Sequence, residues 1–196
     1  MRYTAEQKTE THKQIVDAAS KEFRGKGLQG IGIADLMSQV GLTHGGFYAH
    51  FKDRDALVVE AVECAAMESF GRMNEVAKSA PQGKEVNAII DIYLSPEHRD
   101  NFRYGCLLPA IAADIARQSD SVKGAFTESL QANMSGIAKY MPAKNSKDKL
   151  DQAMMLISSM AGAMLIARAI NDSTLSNMLL DSVRSQLLNL YNSWGA

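Results

Sequence analysis

Residues 43 to 54 combine side chains and a backbone suited to contact with a nucleic acid. They offer hydrogen-bonding groups, two adjacent glycines and positive charge, with no acid before Asp53. The candidate DNA contacts are Thr43, His44, Gly45, Gly46, Tyr48, His50, Lys52 and Arg54. A helix of this composition suits the major groove, where hydrogen-bonding side chains read base edges.

The candidate contacts divide by the chemistry they can offer. We expect the first four to read bases and the last four to contact phosphates, which position a protein but carry little sequence information. Two adjacent glycines cost a helix about 1 kcal/mol each relative to alanine, and close approach to a DNA backbone would explain them. The alternative is that Tyr48 and His50 are half-buried packing residues.

Cys106 is the residue with the clearest reactive possibility. Residues 105 to 109, Gly-Cys-Leu-Leu-Pro, predict a helix start, where the helix dipole favours a thiolate. Arg99 and Arg103 lie close in sequence. One hypothesis is that Cys106 senses oxidants or electrophiles; the other is that it is a small buried apolar residue. Cys64 is expected to be a packing residue.

An enzyme is the alternative of a different class. Cys106 with His98 could suggest a nucleophile and its base, but no orienting third group or oxyanion motif accompanies them. The sequence has no phosphate-binding glycine loop, no metal-ligand spacing and no paired acids. We therefore expect no catalysis, no metal and no cofactor.

Hydrophobic periodicity predicts an all-α protein of about nine helices. The predicted helices are Thr9–Gly27, Ile33–Val40, Thr43–Phe51, Asp55–Val76, Glu85–Leu94, Gly105–Gln118, Ser121–Tyr140, Lys147–Ile170 and Leu175–Asn192. Gly41 supplies the sharp turn between the second and third helices. The first three helices therefore form a helix-turn-helix unit, followed by a larger helical bundle.

Composition narrows the class of protein. The 196 residues are 46% hydrophobic and 22% charged, with a net charge of −1, as in an ordinary globular chain. The two cysteines show no CxxC spacing, which favours a reducing compartment, and we expect the cytoplasm. The start of the chain has no signal-peptide pattern, and no apolar run approaches the roughly 18–20 residues that cross a bilayer, so no membrane partner is expected.

Residues 41 to 57, GLTHGGFYAHFKDRDAL, resemble the helix-turn-helix signature of TetR-type transcriptional repressors. The resemblance lies in the Phe-Tyr-x-His-Phe core of residues 47 to 51, the charged capping turn and the Ala56–Leu57 pair. Ile31 and Gly32 depart from the Thr or Ser that often precedes the second helix of the family. The resemblance implies a DNA-binding domain (residues 1–54) and a ligand-binding and dimerisation domain (residues 55–196). It also implies a homodimer on a palindromic operator, released by a small ligand.

The last two predicted helices are apolar over more of their surface than a single small core needs. Pairing with their symmetry mates would bury the excess, which predicts a homodimer. Eleven methionines suit an adaptable apolar pocket, although ordinary core packing is the alternative. The candidate ligand contacts are Tyr93, Cys106, Leu107, Ile111, Phe126, Ile157, Met160 and Arg168. The expected effector is a small hydrophobic or electrophilic molecule; the alternative is a regulator without a ligand, either an activator or a constitutive repressor.

Overall fold

The structure is a computed structural model that describes residues 4 to 194, and no strand occurs among them. Its elements are α1 (Ala5–Lys26), α2 (Ile33–Gln39), a 3₁₀ helix (His44–Ala49), α3 (Arg54–Ser79), α4 (Glu85–Tyr93), α5 (Pro96–Asp100), α6 (Leu107–Ile115), α7 (Asp120–Ala138), α8 (Ser146–Ala169) and α9 (Ser173–Trp194). The all-α prediction is confirmed. We call α1, α2 and the 3₁₀ helix the head.

Side-chain caps fix where the two helices that frame the head begin. Thr4 and Gln7 form a capping box that starts α1 at Ala5, four residues before the predicted start at Thr9. The first turn of α1 is polar and exposed, so no apolar stripe marks it in the sequence. Asp53 caps α3 by accepting a hydrogen bond from the Ala56 amide at 2.8 Å.

Apart from shifted helix ends, the structure differs from the prediction in the type of one helix and in the presence of another. The third helix is 3₁₀ rather than α, with Gly46 N–H bonded to the Thr43 carbonyl in the three-residue pattern. The short helix α5 is absent from the predicted helices because its five residues carry no apolar stripe and none of them is buried. Ser95 caps α5 by accepting from the His98 amide, and Pro96 occupies its first turn.

Two apolar cores lie along the chain. The first joins the head to the first half of α3 and to α6, and the second joins α4, the end of α7, α8 and α9. Helix α3 contributes to both, with Leu57 in the first and Ala77 in the second. The proposed domain boundary at residue 54 therefore falls where α3 begins, and α3 connects the head to the rest of the chain.

Helix α8 is long and apolar enough to cross a membrane by length and composition, with a mean hydropathy of 1.5. No uninterrupted apolar run marks this helix in the sequence, because small polar residues such as Ser158 and Ser159 divide it. Core helices pass the same test, and the inner face of α8, including Leu156, Met160 and Met164, is buried in the second core.

Candidate functional site

The turn between α2 and the 3₁₀ helix is tight and locally determined. Gly41 has φ 72°, a left-handed conformation that favours glycine, and the Leu42 amide returns to the Met37 carbonyl at 2.9 Å. Phe47 is completely buried and stacks on Phe51 with ring centroids 5.4 Å apart. Phe47 thus holds the 3₁₀ helix on the core and leaves its other face outward.

The outward face carries most of the residues predicted to contact DNA. Thr43, His44, Gly45 and Lys52 are exposed, and Tyr48 is 63% exposed. Gly46, half-buried, lies beside the Thr43 hydroxyl and Met37. This surface presents hydroxyl and imidazole groups with one lysine at its edge.

Gly45 is a glycine that the fold itself does not require. Its φ is not in the left-handed region, and a Cβ placed on it would meet no atom within 4 Å among residues 4 to 194. The chain could therefore accommodate alanine there. A bare backbone at this exposed position favours close approach by an outside partner.

His50 and Arg54, like Gly46, are half-buried. His50 is half-buried and its ring centroid is 5.8 Å from that of His12; its Nδ1 has no hydrogen-bond partner among the described residues. Burial, with His12 and Lys8 nearby, lowers the pKa of His50. Arg54 donates to the Leu28 carbonyl, so its guanidinium holds α3 on the α1–α2 loop. Their contacts with DNA remain predictions.

The N-terminus of α2 is capped by backbone alone. Gly32 occupies the N-cap position in an extended conformation and makes no side-chain hydrogen bond. The departure at Gly32 thus removes a side chain that could also have contacted a phosphate.

Arg24 joins the head to the loop before α6. Its side chain is 1% exposed and donates from Nε to the Ser20 carbonyl, from Nη1 to the Gly105 carbonyl at 3.3 Å, and from Nη2 to Glu68 of α3. Sequence reasoning missed this cluster. Glu22, also 1% exposed, pairs with Arg103 of the same loop and lies three residues after Ala19 on the apolar stripe of α1. A charge on that stripe was the available signal.

Cys106 is buried at the N-cap of α6. Burial raises the pKa of its thiol, although the Tyr93 hydroxyl, the Leu108 amide and the guanidinium groups of Arg168 and Arg72 act in the opposite direction. The resting thiol is therefore protonated at neutral pH. The predicted helix-start position is confirmed, but burial outweighs its effect on the thiol.

His98 bonds to the backbone around Cys106 rather than to the thiol. Its Nε2 accepts from the Cys106 amide at 3.0 Å, so Nδ1 carries the proton and donates to the Tyr93 carbonyl at 2.7 Å. Burial lowers the pKa of His98 to about 4. With both ring nitrogens occupied by backbone groups, His98 is not placed as a base for the thiol.

The predicted ligand contacts are distributed over three places. Tyr93, Cys106, Ile157 and Met160 line an enclosed cavity of about 20 Å³, which we call the chamber. Leu107 and Ile111 are buried in the first core, and Phe126 packs against it. Arg168 donates to the carbonyls of His98 and Arg99, both at 3.0 Å, and its guanidinium lies over the Phe102 ring. The structure thus brings the first four together with Arg168 close to them, and leaves Leu107, Ile111 and Phe126 in the first core.

A larger groove of about 590 Å³ lies between α3 and α7. Its walls include Met67, Phe70 and Gly71 of α3, and Gly136 and Ile137 of α7. We call it the α3–α7 groove. Sequence reasoning missed it because it depends on which sides of two distant helices meet. Met67 of α3 is 74% exposed beside it.

Helices α8 and α9 expose a broad apolar face. Its large side chains are each at least 36% exposed within the described chain and are Leu150, Met154, Met155, Leu165, Ile166, Leu175 and Met178. Monomeric proteins rarely leave so many large apolar side chains in water on adjoining elements.

Comparisons with known proteins agree with this arrangement. Residues 15–61 match the sequence profile of the bacterial regulatory proteins of the tetR family. The HTH-type transcriptional regulator Rv0196 of Mycobacterium tuberculosis is 27% identical over 190 residues, which cover 91% of this chain and 92% of that protein. The HTH-type transcriptional regulator TtgR of Pseudomonas putida is 36% identical over 58 residues, 30% of this chain and 28% of that one.

Solved structures show the same fold. The reduced form of Escherichia coli NemR has a TM-score of 0.77 at 18% identity, covering 92% of this chain and 96% of that one. A TetR-family transcriptional regulator of Cytophaga hutchinsonii has a TM-score of 0.78 at 18% identity, covering 96% and 98%. With the signature at residues 41 to 57 and the head built on it, these matches show a tetR-type helix-turn-helix in residues 15–61 and, over the whole chain, the fold of TetR-family transcriptional regulators.

Proposed function

We propose that this protein is a TetR-type transcriptional regulator, a repressor that binds a palindromic DNA operator as a homodimer in the cytoplasm and is released by a small molecule. The observation that carries the DNA-binding part is the outward face of the 3₁₀ helix. The fold does not require glycine at position 45, because a Cβ there would meet no described atom within 4 Å. Tyr48 and His44 point outward beside it.

The DNA contacts are assigned from which side chains of this face are exposed to solvent. Thr43, His44 and the Gly45–Gly46 backbone enter the major groove, where hydroxyl and imidazole groups meet base edges. Tyr48 and Lys52 contact phosphates on either side and fix the register. His50 and Arg54 are half-buried beneath this surface and hold it in place. Only the exposed parts of their side chains contact phosphates.

The second copy binds at the exposed face of α8 and α9. An interface around a two-fold axis presents the same patch twice, so Leu165 and Ile166 of one protomer meet apolar side chains of the other. A dimer places two heads together, and the two half-sites they read lie about 34–36 Å apart on DNA.

Release of the operator requires that the effector favour a different position of the heads. The Gly105–Cys106 peptide is well placed to carry this change, because its carbonyl accepts from Arg24 of the head and its amide donates to His98. An effector that displaces this peptide shifts α1 relative to α3. It must bind the released state more tightly than the DNA-bound state by a few kcal/mol.

Modification of Cys106 is a second route to the same displacement. The chamber beside the thiol holds about 20 Å³, the space of a single water molecule, so an adduct on the sulfur would push Tyr93 or the loop before α6 aside. Arg72 and Arg168 favour the thiolate once the site opens. The resting protein keeps the thiol buried, so this route needs an opening step first.

Fluorescence anisotropy tests the proposal directly. The protein is titrated into labelled DNA from upstream of its own gene and into scrambled DNA, at two salt concentrations. We expect tight binding to the native fragment alone, weakening with salt as counterions are released. Equal binding to both fragments at both salts would contradict specific recognition, and an operator complex that no small molecule or thiol reagent dissociates would indicate a constitutive regulator.

A further inference from the structure

Residues 96–106, which comprise α5 and the loop before α6, bury little apolar surface. None of the residues of α5 is buried, and residues 101–104 are all exposed. The two aromatic side chains of the loop, Phe102 and Tyr104, are 42% and 49% exposed. We call this segment the bridge. Hydrogen bonds and ion pairs fix most of its position, because only its last two residues, Gly105 and Cys106, are buried.

One end of the bridge is bonded to α8 and α9. Arg168 of α8 donates to the carbonyls of His98 and Arg99, both at 3.0 Å. The Arg99 guanidinium in turn donates to the Ser176 hydroxyl at 2.9 Å and to the Asn177 side-chain oxygen at 2.7 Å, both on α9. Ser176 is 1% exposed, so part of this contact is shielded from water. The bridge is thus attached to the two helices that carry the proposed dimer face.

The other end of the bridge is bonded to the head. Arg103 forms an ion pair with Glu22 of α1, and the Gly105 carbonyl accepts from Arg24 of α1 at 3.3 Å. Both of these α1 residues are 1% exposed. Glu22 also accepts a hydrogen bond from the side chain of Gln39, the last residue of α2. The bridge therefore reaches both α1 and α2 through charged groups that are removed from water.

The contacts at the two ends form one connected series from α9 to α2. The series runs from Ser176 through Arg99, along the backbone of the bridge to Arg103, and through Glu22 to Gln39. Apolar packing against α3 and α6 also supports the head. Apolar attraction is non-directional, whereas charge-assisted hydrogen bonds hold a defined geometry. The series therefore constrains the angle between the head and α8 and α9 more narrowly than the apolar packing does.

The angle of each head matters when two heads contact one DNA duplex. The half-sites of a helix-turn-helix dimer lie about 34–36 Å apart, one turn of about 10–10.5 base pairs. One added base pair moves a half-site by about 3.4 Å and turns it by about 35° around the DNA axis. Two heads held at a fixed angle can bind such a site only if the DNA is twisted, which costs free energy.

We infer that the bridge sets the half-site spacing that the dimer accepts, and that Arg99 and Arg103 are the residues through which it does so. This inference rests on the proposed function, since spacing has meaning only for two heads joined through α8 and α9. Both arginines act through the position of the head rather than by reading bases. Loss of either one breaks the series, allows the head to rotate and widens the range of accepted spacings.

Selection of bound duplexes from a randomised DNA library tests the inference with the full chain and needs no known operator. The wild-type protein should enrich paired half-sites at one spacing. Arg99→Leu and Arg103→Leu, which break the series at opposite ends, should also enrich pairs one base pair closer together and one base pair further apart. The control is Arg184→Leu, because Arg184 of α9 pairs with Asp91 of α4 and lies outside the series. The control should keep the single spacing.

Anisotropy with the selected duplexes gives the size of the effect. We expect the wild-type protein to prefer its own spacing over the neighbouring ones about tenfold or more, and each bridge variant to do so about threefold or less. The ratio of Kd values is the informative quantity, because a variant that only destabilises the head weakens binding at every spacing alike. The double variant Arg99→Leu/Arg103→Leu should relax the ratio no further than either single variant, since one break is enough.

Three results would overturn the inference. The first is an unchanged ratio in either bridge variant whose folding is verified by circular dichroism. The second is relaxed spacing in Arg184→Leu, since any lost ion pair would then have the same effect. The third is a greater relaxation in the double variant, since the two contacts would then act separately. A wild-type protein that enriches no paired half-sites would contradict the proposed function itself, whereas one unchanged spacing in all variants counts against the bridge alone.

Discussion

Arg24 Nη1 donates a hydrogen bond to the carbonyl oxygen of Gly105 across 3.3 Å, and this bond joins the head to the residue before Cys106. The same guanidinium holds Glu68 of α3. A single buried side chain thus contacts the head, the connecting helix and the loop beside the chamber. Any displacement of that loop alters hydrogen bonds made by a residue of α1.

Arg24→Met should therefore be one of the most destabilising substitutions in the head. It removes a fully buried charge and leaves Glu68 and the Gly105 carbonyl without their partner, which costs about 3 kcal/mol. Urea unfolding measures the loss, with Arg117→Met as the control because Arg117 is exposed and bonds only to the Ala113 carbonyl of its own helix. Equal free energies of unfolding for the two variants would show that the Arg24 cluster contributes nothing to stability.

Gly45→Ala should separate DNA binding from folding. A Cβ there meets no described atom within 4 Å, so the fold tolerates it and gains up to about 1 kcal/mol from the lost flexibility of glycine. Close approach to DNA would not tolerate it, and we expect the operator Kd to rise about tenfold or more, as measured by anisotropy. The matched variant Gly124→Ala should leave the Kd unchanged; a Gly45→Ala protein with native affinity would place the DNA elsewhere.

Ile166→Glu should dissociate the homodimer. Ile166 is 52% exposed on α8, and a two-fold interface buries the new carboxylate twice without a partner. We expect the dimer dissociation constant, measured by sedimentation equilibrium, to rise about 100-fold. Met67→Glu provides the control, because Met67 is equally apolar and more exposed but lies on α3; a monomer produced by the control and not by Ile166→Glu would reverse the assignment.

Cys106 should react slowly in the native protein. Its thiol is buried and its pKa is raised, so alkylation by iodoacetamide requires local opening, and we expect a rate about 100-fold below that in urea. Mass spectrometry of tryptic peptides distinguishes Cys106 from half-buried Cys64, and Cys106→Ser confirms the peptide assignment. Equal rates in native and unfolded protein would mean that the thiol is already accessible and would favour direct thiol sensing.

The parts of the site that could be predicted are those that local sequence determines. Gly41, Phe47 and Phe51 lie within eleven residues, and their turn and packing follow from residue type alone. The chamber was predicted only in part, because Tyr93, Cys106 and Met160 meet across elements far apart in the chain. The orientation of Arg54 toward the Leu28 carbonyl depends on how α3 packs on α1, which no local pattern specifies.

The buried imidazole of His98 should make stability depend on pH below neutrality. The unfolded chain takes up a proton at the ordinary histidine pKa of about 6.5, whereas the folded protein does so only near pH 4. Stability from this group is therefore complete above about pH 6.5 and decreases as the pH falls toward 4, by roughly 2 kcal/mol at pH 5. Urea unfolding at pH 7.5 and pH 5 measures the change.

His98→Gln should remove about 2 kcal/mol of the difference in stability between these two pH values. It should also lower stability at pH 7.5, because the Cys106 amide and the Tyr93 carbonyl lose their fixed partner. An identical pH dependence in the variant would mean that His98 titrates as it does in the unfolded chain.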